Sequence, residues 1–171
     1  MIFALSILFV YFLLSAQYES YILPWAVLLS IPVGLIGVFT VINLVGLQNN
    51  IYVQVGLIML IGLLAKNAIL IVEFAVQERK NGKSIVEAAI SGSKLRLRPI
   101  LMTSLAFVAG LVPLMWTVGP SAIGNHSISF SAAGGMLFGV AFGIFIIPVL
   151  FVVFKSLDEK LHDKLAKEEE E

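Results

Sequence analysis

The stretch GLLAKNAILIVEF, residues 62–74, decides how this chain folds. It puts the ammonium of Lys66, the carboxamide of Asn67 and the carboxylate of Glu73 inside an apolar run that extends from about residue 51 to residue 76. At a helical rise of about 1.5 Å per residue, Lys66 lies roughly 22 Å from the start of the run, near the middle of a ~30 Å hydrocarbon core. The run therefore predicts a membrane-spanning helix with a charge at its centre.

A lysine at the centre of a span costs about 2.5–3.5 kcal/mol, so it normally faces a bundle interior and pairs with a carboxylate. Glu73 is seven residues away, which is about 10.5 Å along the helix and too far for a direct pair. The alternative is a lysine that snorkels to the interface. Roughly ten apolar positions separate Lys66 from the nearer boundary, which disfavours snorkelling. Lys66 is therefore expected to need a carboxylate from another helix.

The composition indicates an all-α integral membrane protein. Of its 171 residues, 59% are hydrophobic and 13% are charged, against roughly 25% charged in soluble domains. The sequence has no polar segment long enough to form a sizeable soluble domain. The absence of cysteine excludes disulfides and thiolate chemistry, and the formal net charge of +0 gives no nucleic-acid footprint.

Five apolar segments predict a bundle of five transmembrane helices in residues 1–154, followed by a charged tail in residues 155–171. The first segment is short and starts at Met1, so we expect its natural start to lie further upstream. In the tail, Leu157, Leu161 and Leu165 recur at helical spacing and predict an amphipathic surface helix. The predicted spans cover residues 1–16, 21–45, 51–76, 96–118 and 128–154.

Ser84 and Glu87 have the spacing of a capping box. This pattern predicts a short surface helix over residues 85–91, separate from a fourth span that begins between residues 94 and 99. In the fifth span, Gly135, Gly139 and Gly143 recur every four residues and predict a ridge for close helix packing.

Basic residues set the predicted orientation. They are absent from the loops at residues 46–50 and 119–127 and concentrated on the opposite side. The positive-inside rule therefore makes the basic loop and the C-terminal tail cytoplasmic. The basic residues on that side are Arg79, Lys80, Lys83, Lys94, Arg96, Arg98, Lys155, Lys160, Lys164 and Lys167.

Other polar residues allow more than one interpretation. Asn67 could be an inter-helix hydrogen-bond donor, and Glu73 has the position of a partly solvated carboxylate. Arg96 is most simply an interface anchor, although it shares a helical face with Thr103 if the helix begins before it. Thr103 and Ser104 could instead bond to carbonyls one turn earlier.

Chemistry at a catalytic or metal centre is not indicated by the sequence. His126 and His162 have no second histidine at ligand spacing. No nucleophile and base pair or phosphate-binding loop is present. We therefore expect no enzyme, no metal and no cofactor.

Four strings give the chain a family likeness. They are SAQYES at residues 15–20, VQVGL at residues 53–57, GLLAKNAILIVEFA at residues 62–75 and LRLRPILMTSLAF at residues 95–107. In this order and spacing the chain resembles spans eight to twelve, in the C-terminal membrane half, of resistance-nodulation-division (RND) multidrug efflux pumps of the hydrophobe/amphiphile branch.

The resemblance implies a proton relay. By this likeness, Lys66 would pair with two aspartates on an earlier span, and Arg96 and Thr103 would complete the relay, with Asn67, Glu73 and Ser104 as possible supporting groups. The partners it implies are the missing N-terminal half with the paired aspartates, two further copies in a homotrimer, a periplasmic adaptor and an outer-membrane channel. The implied location is the bacterial inner membrane, and the implied energy source is the proton gradient.

Three functions remain in competition at this stage. The first is part of a drug/proton antiporter that is inactive without the N-terminal half, and the second is a non-transporting remnant or assembly module. A small ion channel is disfavoured because a central lysine repels cations. Substrate specificity is not encoded here, because the resemblance places the drug-binding regions outside these spans.

Overall fold

The chain is described by a computed structural model that gives the backbone of residues 2–18 and 20–168 and the side chains of residues 8–9, 11–18 and 20–160. Within these ranges the regular structure is entirely helical. The all-α fold expected from the sequence is confirmed. The helices are α1 (Ile2–Tyr18), α2 (Leu23–Leu28), α3 (Ile31–Val45), α4 (Ile51–Lys80), α5 (Ile85–Met115) and α6 (Ala122–Glu168).

Four helical segments in the described part are long and apolar enough to cross a membrane. They are Leu23–Val45, which joins α2 and α3, then α4, α5, and the Ala122–Lys160 part of α6. The first predicted span corresponds to α1, whose 17 residues are somewhat fewer than the ~20 that a spanning helix needs. The protein is therefore a multi-pass membrane protein.

The segment Leu23–Val45 is interrupted at Leu29 and Ser30. Pro32 is in the first turn of α3, where it has no N–H to donate to the carbonyl of Leu28 and its ring disfavours a continuous helix. At the same break, Ser30 Oγ donates to the carbonyl of Val27 at 2.6 Å. Pro32 thus marks a break between two helices within the second predicted span.

Polar side chains cap α4 and α5. Asn50 accepts from the backbone N–H of Val53 at 3.0 Å, and its Nδ2 donates to Ser127 Oγ on α6 at 2.9 Å. At the start of α5, the predicted capping box of Ser84 and Glu87 is confirmed. These caps satisfy N–H groups that have no partner within their own helix.

The separate surface helix predicted over residues 85–91 is wrong, because α5 runs without interruption from Ile85 to Met115. Gly92 lies at the crossing of α5 and α4, where a Cβ would stand 2.6 Å from the backbone nitrogen of Ala75. This close approach packs the start of α5 on α4, so the polar residues that follow extend the helix instead of ending it.

The last helix also continues past the predicted end of its span. Its backbone is helical through Glu168, so the tail begins as an extension of α6 and not as a separate helix. Asp158 and Glu159 in this extension contact other parts of the bundle. The side chains of Leu161 and Leu165, on which the amphipathic interpretation depends, lie outside the described residues, as does that of His162.

Candidate functional site

Helix α4 carries the sequence-predicted Lys66 near its midpoint. Asn50 fixes the start of this 30-residue helix and Lys80 ends it, so Lys66 is separated by about 20 Å of helix from either end. Lys66 is exposed on the outer surface of the bundle. No carboxylate among the described side chains lies within ion-pair distance of it. Lys66 therefore presents an open charge at mid-span.

Glu73 lies two turns further along α4 and is partly buried. It accepts long hydrogen bonds of 3.4 Å from Gln17 Nε2 of α1 and from Gln77 Nε2 of α4. Beside it, Tyr18 donates to the carbonyl of Ile69 at 3.2 Å. Glu73 is thus part of the contact between α1 and α4 and does not reach Lys66.

Arg96 of α5 turns toward α4, where its guanidinium carbon lies 3.9 Å from the ring centroid of Phe74. This is cation–π stacking, for which the planar guanidinium is well suited. Its Nε is buried and makes no hydrogen bond to any described residue. Arg96 therefore keeps an unused donor inside the bundle, which an interface anchor exposed to water would not have.

Thr103 and Ser104 behave differently, although they are neighbours on α5. Thr103 Oγ1 donates toward the carbonyls of Pro99 and Ile100 at 3.0 and 3.1 Å, so the expected bond to the preceding turn is confirmed for Thr103. For Ser104 the expectation is wrong, because its hydroxyl is buried and has no partner in the part of the chain that is described. The helix does begin before Arg96, so Arg96 and Thr103 share one face of α5.

Asn67 does not make the inter-helix hydrogen bond that the sequence suggests. Its Nδ2 is buried and lacks a partner within the described ranges. It lines a small cavity together with Ser30 and the α6 residues Gly139 and Gly143. The amide is therefore an unsatisfied donor at the meeting of several helices.

The three glycines of the predicted ridge have different surroundings. A Cβ at Gly135 would overlap Leu60 of α4 and lie 3.2 Å from the carbonyl oxygen of Gly34 of α3. At Gly139 it would lie 2.6 Å from the Leu64 side chain, whereas at Gly143 it would only touch Ile147 at 3.6 Å. Gly135 and Gly139 thus lie at close helix contacts, and Gly143 borders the cavity.

Sequence reasoning missed a polar cluster at the basic end of the bundle, where α4 ends and α5 begins. Buried Asp158 of α6 accepts from Ser20 Oγ and from Lys155 Nζ, both at 2.8 Å. Nearby, Arg79 and Glu159 form a bidentate pair between α4 and α6, at 2.9 and 3.0 Å. The Ser20–Asp158 and Arg79–Glu159 partners are 80 or more residues apart, so no local pattern could have indicated these two contacts.

The described contacts leave the relay candidates unlinked to one another. No hydrogen bond joins Lys66, Arg96 and Thr103 among the residues with described side chains. Lys66 and Arg96 nevertheless each keep an unused hydrogen-bond donor, the ammonium of Lys66 and the buried Nε–H of Arg96. Such an arrangement can attract and hold an acidic group approaching from outside the described bundle.

Comparison with known proteins shows extensive similarity. A family model described as the AcrB/AcrD/AcrF family matches residues 1–155. The toluene efflux pump membrane transporter TtgB of Pseudomonas putida is 49% identical over 156 residues, which are 91% of this chain and 15% of that protein. The multidrug resistance protein MdtF of Escherichia coli is 45% identical over 157 residues, again 91% of this chain and 15% of the relative.

A second Pseudomonas putida protein, the toluene efflux pump membrane transporter TtgE, is 42% identical over 172 residues, or 100% of this chain and 16% of that protein. The chain thus spans about 15% of the length of the curated relatives that it matches. The matched family model covers three of the four long apolar segments completely, the fourth as far as residue 155, and every relay candidate. The chain belongs to the AcrB/AcrD/AcrF family, which confirms the resemblance to RND transporters found in its sequence.

Proposed function

We propose that this chain forms the cationic side of the proton-coupling machinery of an efflux transporter. The observation that carries the proposal is Lys66, a mid-span charge that is exposed on the bundle surface and has no carboxylate partner among the described side chains. The relatives are named as a toluene efflux pump membrane transporter and a multidrug resistance protein. By analogy the compounds exported would be apolar organic solvents or drugs.

The proposed partner of Lys66 is a carboxylate pair on a helix outside these residues. The chain accounts for about 15% of the length of its relatives, so the rest of such a protein offers room for that helix, either in one polypeptide or in a second chain. A carboxylate at mid-span would compensate the ~2.5–3.5 kcal/mol that an unpaired lysine costs there. Pairing thus explains why a lysine is tolerated at this depth.

Proton binding would switch this pair. When a carboxylate takes up a proton it becomes neutral, its attraction for the Lys66 ammonium is lost, and the lysine is free to change direction. The membrane potential contributes about 2.3 kcal/mol per charge per 100 mV to such a step. The proton gradient is therefore the proposed energy source, and export and proton entry occur in opposite directions.

Arg96 and Thr103 are proposed as the second part of the relay. Both lie on one face of α5, and Arg96 retains a buried N–H that could bond to a carboxylate or to water. Its stacking on Phe74 couples α5 to α4 eight residues after Lys66. Asn67, Glu73 and Ser104 are proposed to support the relay through their positions beside it.

The proposed assembly follows the family. It is a homotrimer in the bacterial inner membrane, with a periplasmic adaptor and an outer-membrane channel, and with the C-terminal tail in the cytoplasm. The proposed spans are those expected from the sequence, with residues 155–171 as the charged tail.

The test is the efflux rate of a fluorescent dye or of toluene in cells that produce the complete transporter. Lys66→Ala should abolish export at unchanged protein level in the membrane, because the carboxylates lose their counter-charge. Lys80→Ala is the matched control, since Lys80 is an exposed lysine at the end of the same helix, and it should export at the normal rate. Export by Lys66→Ala at the normal rate would contradict the proposal.

The competing function is a non-transporting membrane module. It predicts that Lys66→Ala has no effect on proton movement because no proton cycle exists. In proteoliposomes with an internal pH dye, the proposed antiporter should acidify or alkalinise the lumen only when a transported substrate is present. The absence of any substrate-dependent pH change, both in the unmodified transporter and in Lys66→Ala, would favour the module.

A further inference from the structure

A small, partly open cavity between the helices brings together the polar side chains of Ser30 and Asn67, whose contacts at this point no role described so far explains. Its lining comes from the α2–α3 break, α4, α5 and α6. The polar side chains among the lining residues are Ser30 and Asn67, and Gly139 and Gly143 border it with backbone alone. The cavity therefore lies where four parts of the bundle meet.

Asn67 has a buried donor at this cavity. Its Nδ2 is inaccessible to solvent and has no partner within the described part of the chain. A buried amide N–H without an acceptor is costly, and most such groups in proteins are satisfied by protein or by ordered water. An acceptor for this N–H is therefore expected nearby.

Ser30 offers a matching acceptor. Its side chain is 7% exposed, and its hydroxyl proton is used toward the carbonyl of Val27 at 2.6 Å. The oxygen then keeps lone pairs free. Asn67 and Ser30 line the same cavity but are not joined by a direct hydrogen bond, so a bridging molecule would satisfy both.

The size of the cavity selects the molecule. The centre of a water-sized sphere can move within a volume of about 10 Å³ in this cavity. A cavity of this size has room for about one water molecule. Cavities that stay empty are apolar, whereas this one has an orphan donor and a free acceptor. We propose that it holds one ordered water that accepts from Asn67 Nδ2 and donates to Ser30 Oγ, bridging α4 to the α2–α3 break.

The bridge has a consequence for the relay, which rests on the function proposed above. Asn67 follows Lys66 directly, so an interaction that fixes the rotation of α4 at Asn67 also fixes the direction of the lysine. Asn67 and Ser30 are then positioning residues. The water site itself does not depend on whether the protein moves protons.

The first test is a high-resolution map of the complete protein in lipid nanodiscs. Density for one water is expected between Asn67 and Ser30. The proposal is overturned if other buried waters are visible but this cavity is empty, or if the Asn67 amide bonds directly to the protein.

The second test is a double-mutant cycle on unfolding equilibria in the same nanodiscs. Gly143→Ala puts a methyl group at the cavity wall, where only Ile147 at 3.6 Å is in contact, so it should displace the water without a clash. The variant should unfold with an equilibrium constant about threefold higher or more, since inter-helix polar contacts in membranes contribute on this scale. In the Asn67→Leu background, which has no donor to satisfy, Gly143→Ala should be neutral or stabilising.

Equal effects of Gly143→Ala in both backgrounds would overturn the water bridge. Efflux measurements then separate this site from the proposed function. If the water is present but Asn67→Leu exports at the normal rate, the consequence for Lys66 fails and the site remains. If Lys66→Ala itself exports at the normal rate, the proposed function fails, whatever the map shows at the cavity.

Discussion

Gly92 sets how closely α5 approaches α4, and Gly92→Ala should force the two helices apart. A Cβ there would stand 2.6 Å from the nitrogen and 2.9 Å from the Cα of Ala75, and 3.1 Å from the carbonyl carbon of Phe74. All three are backbone atoms, so no side chain can rotate away. To restore an ordinary contact of 3.4 Å, α5 must withdraw by roughly 0.8 Å at the crossing.

The size of the effect follows from two opposing terms. Overpacking of this kind costs about 1–3 kcal/mol, and alanine regains up to about 1 kcal/mol over glycine in a helix. We therefore expect Gly92→Ala to reduce the free energy of unfolding by about 1–2 kcal/mol. Because Arg96 lies one turn after Gly92 and stacks on Phe74, the same shift should also weaken the cation–π contact and lower efflux.

The assay is equilibrium unfolding of the purified transporter in mixed micelles, combined with dye efflux from cells. Gly110→Ala on the same helix is the control, because a Cβ at Gly110 meets no described atom within 4 Å. It should be neutral or slightly stabilising. The reasoning is refuted if Gly92→Ala is as stable and as active as Gly110→Ala.

Three further predictions concern the basic end of the bundle. Asp158→Ala should reduce the free energy of unfolding by roughly 1–3 kcal/mol, because it leaves buried Ser20 and partly buried Lys155 without their acceptor. Asp158→Asn keeps an acceptor and should lose less stability, and equal losses would contradict the role of the acceptor. Arg79→Lys should destabilise the α4–α6 contact because lysine cannot form the bidentate pair with Glu159. The variant should melt at a lower temperature than the unmodified protein, and this difference in melting temperature should be smaller at high salt than at low salt. Ser84→Ala removes the capping box of α5 and should cost about 1 kcal/mol, whereas Ser84→Asp should retain most of the stability in the same unfolding assay.

Structural features that depend only on residues close together in the sequence could be predicted from local patterns. The apolar run around Lys66 gave a spanning helix, and Ser84 with Glu87 gave a capping box, because both signals act over one or a few turns. The same reasoning failed over residues 85–91. There the prediction separated a short surface helix from the fourth span, whereas α5 is one continuous helix that packs closely on Ala75 at Gly92.

Contacts between distant parts of the chain could not be predicted from periodicity. The Ser20 and Asp158 hydrogen bond joins residues 138 positions apart, and neither residue stands out from its polar neighbours in the sequence. Asn67 could be recognised as a donor, but its proposed water bridge to Ser30 depends on where the chain breaks between α2 and α3, before Pro32. The candidate residues were therefore predictable individually, while their partners required the packing of the helices.

The packing divides the bundle into a closed side and an open side. On the closed side, glycines let α3, α4 and α6 meet closely, as at Gly135 beside Gly34 and Leu60. On the open side, Lys66 carries the ~2.5–3.5 kcal/mol cost of an unpaired mid-span charge. A helix that brings a carboxylate recovers this energy on docking, and it loses the same attraction when the carboxylate is protonated. Under the proposed function, the charge that makes the open side costly is thus also what makes docking there respond to protons.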